Sequence, residues 1–200
     1  GGIATIIAQP DTTPPTDRPQ AVFAVSHRSR EARHARALTL ASLTQNCEGE
    51  QLAELGMLAE AGAVGFSNGV WPVERLEAIS RALTYAQVTE RPVVLGQTPA
   101  AWGQPGVVSG ELSARLGLGG VPVLAEVMAI ERDLRLVEMT GVRGHFDLVT
   151  SAEGVAAIRA AKARGLPVTA GTGIAYATLT EIAIGDYRTH AKLHPPLRPD

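Results

Sequence analysis

The chain has 200 residues, of which 45% are hydrophobic and 19% are charged, and this composition is typical of a globular chain with one sizeable core. The formal net charge is −2, from 18 basic and 20 acidic residues without a long run of either sign, so the sequence predicts neither a nucleic-acid partner nor a membrane surface. The single cysteine, Cys47, cannot form an internal disulfide, and no apolar run approaches the roughly 20 residues of a membrane span, so we expect a cytoplasmic protein.

Six short apolar runs predict β-strands. Most of them are nearly continuous in apolar character, as expected for parallel strands covered on both faces. They occupy residues 3–8, 37–43, 63–66, 92–95, 145–149 and 167–170.

Segments with helical spacing of apolar residues lie between these runs, at 51–61, 73–86, 124–139 and 152–165. The last of them ends with Gly165 at the C-cap and Pro167 just beyond it. Alternating strands and helices indicate right-handed βαβ units. Two α/β architectures remain open at this point, a doubly wound open sheet and an arc of a (β/α)8 barrel.

Two glycine-rich stretches do not predict a phosphate site. The GTG stretch at 171–173 follows a strand, but it lacks the third glycine of a dinucleotide-binding loop and no clear helix start follows it, so we expect a turn. The LGLGG stretch at 116–120 follows a helical segment and predicts a helix end and a loop.

Several blocks, in the same order, give the sequence a resemblance to a known family. They are GGIATIIAQPDTTPPTD, GEQLAELGMLAEAGAVGFSNG, VPVLAEVMAIERDLRLVEMTGVRGHFDLVTSAEGVAAIRAAKARGLPVTA and AKLHPPLRPD. Together they resemble the dihydroorotase family of the amidohydrolase superfamily. The resemblance implies a (β/α)8 TIM-barrel-like fold in which zinc-bound hydroxide opens or closes a cyclic amide. We therefore expect residues 1–200 to form a single dihydroorotase-like barrel domain that covers about six of the eight βα units and lacks the first and last strands.

The resemblance also allows the metal positions to be compared one by one, and none carries the expected donor. The family's carboxylate turn, of the Phe-Ser-Asp-Asp-Gly kind, is Phe66-Ser67-Asn68-Gly69 here. The histidine that normally ends the next strand is replaced by Gly96. The first His-x-His pair would precede Gly1, and the last aspartate would follow Asp200. We therefore assign residues 1–200 no catalytic residue, no metal ligand and no cofactor, although the family uses zinc.

The stretch from His145 to Leu148 holds the remaining position in this comparison. The family has two histidines three apart, of which the second is the ligand, and they align with His145 and Leu148. If Leu148 faces the barrel interior, strand alternation predicts that Phe146 shares its face and that His145 and Asp147 point outward toward the helices. We favour a packed or surface pair over a ligand pair for His145 and Asp147.

At two positions that bind substrate in the family, this sequence has a different residue. The family's Met-Pro-Asn-Thr turn is Gln9-Pro10-Asp11-Thr12 here, and its Lys-x-Asn-Pro-Pro-Leu-Arg block has His194 in place of the asparagine. Asp11 and His194 are therefore our candidate substrate-binding residues, with plain roles in a turn and a loop as the alternative. Glu126, Arg132 and Asp133 match the family's long helix, and we expect them to brace loops or an interface.

Three functions remain open on this sequence. The resemblance to ligand-poor pseudo-dihydroorotases implies a non-catalytic protein of pyrimidine biosynthesis, a structural partner of the aspartate carbamoyltransferase catalytic subunit in a hetero- or homo-oligomer. The first alternative is an active dihydroorotase, or a related cyclic-amide amidohydrolase, with metal ligands from other segments. The second is a small-molecule binding protein, suggested only by Asp11, Trp71, Trp102 and His194.

Overall fold

A computed structural model describes residues 2–96, 102–103 and 106–200. It contains all six predicted strands, with ends that differ from the predicted ones by up to three residues. They are β1 Thr5–Ala8, β2 Arg36–Ser42, β3 Gly65–Ser67, β4 Val93–Leu95, β5 Gly144–Phe146 and β6 Val168–Ala170. The helices are α1 Pro19–Ala32, α2 Leu55–Glu60, α3 Leu76–Val88, α4 Glu111–Leu116, α5 Val123–Thr140, α6 Ala152–Ala163 and α7 Ile174–Thr178.

The chain divides into two compact units, the first of which comprises residues 1–94 and 136–144. In this unit the strands lie side by side in the sheet in the order β1, β2, β3, β4. Each neighbouring pair is parallel. Burial along β2 rises from the exposed Arg36 to the fully buried Ser42, because the carboxyl half of the strand lies in the core. The largest fully buried side chains of the unit are Val22, Leu43, Leu55, Leu58, Phe66, Leu83 and Val93.

Helix α1 was not predicted from the sequence. Only Val22 is buried in this helix, so its apolar periodicity is too weak to identify it. The available signal was Pro19 at the first helical turn, where a missing N–H costs nothing. The hydroxyl of Ser29 accepts a hydrogen bond of 2.7 Å from the Ala37 N–H and so ties the helix to β2.

Helix α2 begins at Leu55, so the predicted start at Gln51 is wrong. The preceding residues are held in an extended conformation, because Leu52 forms an antiparallel bridge with Thr44 and the Ala53 N–H donates to the Leu43 carbonyl over 3.0 Å. Helix α3 likewise begins at Leu76 rather than Val73.

The second unit comprises residues 95–135 and 145–200. Here β5 and β6 are neighbours, linked by a 2.9 Å hydrogen bond from the Gly171 N–H to the Phe146 carbonyl. Ser151 caps the start of α6 by accepting from the Gly154 N–H, and Gly165 follows the helix with a φ of 88°, as the sequence predicted. A small apolar cluster of Val107, Leu112, Ile184, Ala191 and Leu197 forms part of the core.

The structure confirms the prediction for one glycine-rich stretch and contradicts part of the prediction for the other. The LGLGG stretch ends α4 with Gly117 in the left-handed conformation, which confirms the predicted helix end. The expectation that no helix follows the GTG stretch is wrong, since α7 begins directly after Gly173, although it is only five residues long. Within the described residues, no helix is both long and apolar enough to cross a membrane.

Candidate functional site

The turn after β3 places the Asn68 side chain in a buried polar network of the first unit. Asn68 is 2% exposed. Its Oδ1 accepts a hydrogen bond from Thr44 Oγ1 at 2.7 Å and lies 3.3 Å from Ser42 Oγ, whose hydrogen is donated to the Thr44 carbonyl at 2.6 Å. Its Nδ2 donates to the carbonyls of Cys47 at 2.9 Å and Trp71 at 3.0 Å. Both donor hydrogens of the amide and one acceptor position are therefore used inside the protein.

This network assigns Asn68 a structural task that a carboxylate cannot perform. The carbonyls of Cys47 and Trp71 need a donor, and an ionised carboxylate is only an acceptor. The substitution at Asn68 is visible in the sequence, but the contributions of Ser42 and Thr44 were not predicted. The available signal was the polar end of the apolar run ALTLASLT, since side chains at the carboxyl ends of parallel strands meet at one edge.

Asp11, the first candidate substrate-binding residue, lies against the same turn. Its Oδ2 accepts a 3.3 Å hydrogen bond from the Val70 N–H. Gly69 has a φ of 66°, and a Cβ added there would lie 2.5 Å from Asp11 Cβ, so the Asp11 side chain occupies the space of a side chain at position 69. Asp11 is partly exposed and holds the turn in place. Its substrate-binding role remains a prediction.

Gly96, at the position of the family's strand-ending histidine, has little room for a side chain. Its φ is 86°, and a Cβ at this position would lie 3.0 Å from Phe146 Cδ1. The Gly96 N–H donates to Asp133 Oδ2 over 3.0 Å. A histidine here would have to adopt a left-handed backbone conformation and displace Phe146.

Asp133 links helix α5 to this position. Its side chain is 1% exposed and accepts hydrogen bonds of 2.8 Å from Nε and Nη2 of Arg132. Burial raises the pKa of Asp133 above its usual value, while the Arg132 charge and the Gly96 N–H act in the opposite direction. The prediction that the charged residues of this helix brace loops is confirmed for Asp133.

The predicted orientation of His145 is wrong. Phe146 is fully buried and lies over Gly96 together with Ile130 of α5, so Phe146 is on the helix-facing side of β5. His145 is therefore on the opposite face, where its Nδ1 is 2.8 Å from Thr169 Oγ1. Strand alternation does not extend to Leu148, because β5 ends at Phe146 and Leu148 has a left-handed φ of 53°.

His145 and Asp147 lie near each other above Gly171. A Cβ at Gly171 would be 3.5 Å from His145 Nε2 and 3.6 Å from Asp147 Oδ1. The same Asp147 oxygen already accepts from the Leu148 N–H at 2.9 Å. Two side chains, one of them engaged by the backbone, do not form a zinc site, which requires at least three protein ligands.

Glu126 is the centre of a buried charged cluster in the second unit. Its Oε1 accepts from the N–H groups of Thr150 and Ser151, each at 3.0 Å, and from Ser151 Oγ at 2.7 Å. Its Oε2 accepts from Thr150 Oγ1 and pairs with Arg198 Nη2 at 2.8 Å. Glu126 thus connects α5 to the start of α6 and to Arg198, which confirms the predicted bracing role.

The surroundings of Glu126 change its ionisation. Burial alone would raise the pKa of Glu126, but the hydrogen bonds from Thr150, Ser151 and Arg198 together hold that pKa below its usual value. The carboxylate is therefore ionised at neutral pH and paired with Arg198, and both of its oxygens accept hydrogen bonds within the protein. A group held in this way is a structural brace rather than a proton donor.

His194, the second candidate substrate-binding residue, has a buried Nδ1 without a hydrogen-bond partner among the described residues. Burial lowers the pKa of His194, so the neutral imidazole is favoured. A neutral imidazole with a free ring nitrogen can bind a polar group. The substrate-binding role of His194 remains a prediction.

The residues at the expected metal positions do not fit zinc. Asn68 has a neutral amide that is hydrogen-bonded within the protein, Gly96 has no side chain, and Leu148 is apolar. Nowhere in the described part of the chain do three or more His, Cys, Asp or Glu side chains form a group that could hold a metal ion. We therefore derive no metal-dependent step for residues 1–200.

Comparison with known proteins assigns the chain to a family. The model of dihydro-orotase-like proteins matches residues 1–154. The chain belongs to the dihydroorotase family. This family lies within the amidohydrolase superfamily, as the sequence blocks indicated.

Curated relatives of the dihydroorotase family cover nearly the whole chain. A protein named dihydroorotase from Syntrophotalea carbinolica is 40% identical over 199 residues, which are 99% of this chain and 47% of that protein. A dihydroorotase-like protein from Pseudomonas putida is 36% identical, with the same shares covered. The chain therefore spans about half the length of the curated relatives it matches.

Solved structures confirm the predicted TIM-barrel-like α/β fold class and exclude the open doubly wound sheet. The L-hydantoinase (dihydropyrimidinase) of Arthrobacter aurescens matches with a TM-score of 0.75 at 24% identity, over 99% of this chain and 46% of that chain. A D-hydantoinase from Bacillus sp. AR9 matches with a TM-score of 0.75 at 16% identity, over 98% of this chain and 46% of that chain. At these identities the likeness concerns the fold alone.

Proposed function

We propose that this chain is a non-catalytic, cytoplasmic dihydroorotase-like protein of pyrimidine biosynthesis that assembles with the catalytic subunit of aspartate carbamoyltransferase. The observation that carries the non-catalytic part is the buried Asn68 amide, which stands in place of the family's carboxylate and is hydrogen-bonded within the protein to Thr44, Cys47 and Trp71. Gly96 and Leu148 add no donor at the other two metal positions. A hydrolase of this family needs a metal-bound hydroxide, and these residues offer no place for one.

The assembly role needs a surface that a partner can cover, and we assign it to helix α5. Leu124 and Met128 are 64% and 62% exposed, and they lie one helical turn apart on the same face. Neighbouring exposed apolar side chains of this size favour a protein contact. The name of the Pseudomonas putida relative, dihydroorotase-like protein, is compatible with a role other than hydrolysis.

Co-purification tests this assembly. We expect the chain to elute with the aspartate carbamoyltransferase catalytic subunit from the same genome as one complex in size-exclusion chromatography with light scattering. A double Leu124→Glu, Met128→Glu variant should lose the complex, because two charges would be buried at the contact. Met57→Glu is the matched control, since Met57 is 55% exposed on α2, and it should keep the complex.

Two chromatographic results would contradict the proposal. A wild-type chain that never elutes with the carbamoyltransferase subunit removes the assembly role. A complex that survives the double variant as well as Met57→Glu removes α5 as the contact.

The second candidate function is an active dihydroorotase, and the Syntrophotalea carbinolica relative favours it. That protein is named dihydroorotase and is 40% identical, and this chain spans 47% of it, so ligands in other segments would fall outside residues 1–200. Hydrolysis of dihydroorotate that requires added zinc and stops with a chelator would support this alternative. Absence of such activity in the full polypeptide would leave the non-catalytic proposal in place.

A further inference from the structure

A cleft of about 220 Å³ opens in the second unit, between the loop that follows α4 and residues 184–192. Its walls include Val107, Leu118, Ile184, Tyr187, Arg188 and Lys192. This volume is about seven times the share of one water molecule in the liquid, so it has room for an apolar body of about six carbon atoms. Neither His194 nor any predicted metal position lines the cleft.

The deeper part of the cleft is apolar. Val107 and Ile184 are 1% and 5% exposed and belong to the apolar cluster of this unit. Leu118, which is 37% exposed, adds an aliphatic side chain at the surface end of the wall. An apolar group that enters the cleft leaves water and contacts these side chains, which favours its binding.

Arg188 and Lys192 place two positive charges at the same cleft. The aliphatic part of Lys192 packs over Gly106, where φ is 72° and an added Cβ would overlap Lys192 Cγ. Neither cation forms an ion pair with another described residue, and no Asp or Glu is among the described residues that line the cleft. The charge of the cleft therefore favours an anionic group on the ligand.

Tyr187 forms part of the wall in a backbone conformation that bulky residues rarely adopt. Its φ is 62°, in the left-handed region. Its hydroxyl donates a 2.6 Å hydrogen bond to the Leu116 carbonyl at the end of α4, which holds the ring at the cleft. Strained residues of this kind persist where the surrounding contacts impose them, and they concentrate at binding sites.

The combination of walls selects the ligand. The guanidinium of Arg188 offers parallel N–H groups that match the two oxygens of a carboxylate, and Lys192 adds a point charge. Both cations are exposed, so the charge contributes modestly and the apolar body has to supply a comparable share of the affinity. An anion without an apolar body, or an apolar body without a charge, would use only part of the cleft.

We propose that this cleft binds a small molecule that joins an apolar body to a carboxylate group. The body packs against Val107, Leu118 and Ile184, and the carboxylate accepts from Arg188 and Lys192. This inference is independent of the proposed assembly role, because the α5 contact residues Leu124 and Met128 do not line the cleft.

Ligand-observed NMR on the full polypeptide, with hexanoate as the probe, tests this site. We expect saturable transfer of magnetisation from the protein to hexanoate, with a dissociation constant in the millimolar range because the molecule is small. Hexanamide, which has the same body without the charge, should bind about tenfold more weakly. Acetate, which has the charge without the body, should also bind about tenfold more weakly or worse.

The double variant Arg188→Gln, Lys192→Gln should weaken hexanoate binding about tenfold, because it removes both charges from the cleft. Its matched control is Arg159→Gln, Lys162→Gln, which makes the same change of net charge at exposed positions of α6 and should leave hexanoate binding unchanged.

A second variant tests the apolar wall. Leu118→Ala should weaken hexanoate binding about fivefold through lost contact, whereas Leu179→Ala, the same change at an exposed position outside the cleft, should have no effect. Thermal unfolding verifies that each variant is folded.

Any one of three results would overturn the proposal. The first is equal binding of hexanoate and either comparison ligand. The second is a charge variant at the cleft that binds hexanoate as tightly as the α6 control. The third is a Leu118→Ala variant that binds hexanoate like the wild type.

Discussion

Glu126→Gln is expected to lower the free energy of unfolding by about 3–5 kcal/mol, the usual loss when one partner of a buried ion pair is removed. The change leaves the Arg198 guanidinium buried without its counter-ion, and it places an amide nitrogen where Oε2 now accepts from Thr150 Oγ1. Chemical denaturation at neutral pH measures the loss. Glu131→Gln, at an exposed position of the same helix, should change stability by less than about 0.5 kcal/mol.

The stability that Glu126 contributes is expected to fall in acid. The folded pKa of Glu126 is below its unfolded value of about 4.5, so its stabilisation is fully present above that pH and is lost as the pH falls through the folded pKa. The difference between the wild type and Glu126→Gln should therefore shrink in acid. A difference below about 1 kcal/mol at neutral pH would show that Glu126 and Arg198 do not form the brace described above.

Asn68→Asp is expected to cost about 3 kcal/mol or more, because it leaves two buried carbonyls without donors and places a carboxylate beside them. The carbonyls are those of Cys47 and Trp71, at 2.9 and 3.0 Å from Nδ2. Denaturation measures the loss, and Gln87→Glu, the same amide-to-carboxylate change at an exposed position of α3, should be nearly neutral.

This variant also restores a carboxylate at the family's metal position, yet we expect it to bind no zinc. Gly96 and Leu148 still provide no donor, and one carboxylate cannot hold the ion. A variant as stable as the wild type would contradict the structural role of the Asn68 amide.

The positions of the six strands could be predicted from the sequence because most of them lie in nearly continuous apolar runs. Helix α1 could not, since a single buried residue, Val22, leaves almost no periodicity to detect. The start of α2 was misplaced because the bridge between Thr44 and Leu52 holds the chain extended, and such a contact has no local signature.

The residues of the candidate site could be predicted from the sequence, but most of their contacts could not. The substitutions at Asn68, Gly96 and Leu148 are visible in single residues of the sequence. The partner of Glu126 is Arg198, 72 residues away, and spacing cannot reveal a pair at that distance. The face of His145 was misassigned because alternation requires a continuous strand, and β5 ends one residue after it.

We expect residues 1–200 to hold no zinc at the ends of their strands. Anomalous diffraction at the zinc edge, from crystals of the protein grown with added zinc, measures this. No anomalous peak should lie within bonding distance of Asn68, Gly96 or Leu148. A peak at full occupancy there, coordinated by side chains of these 200 residues, would contradict it.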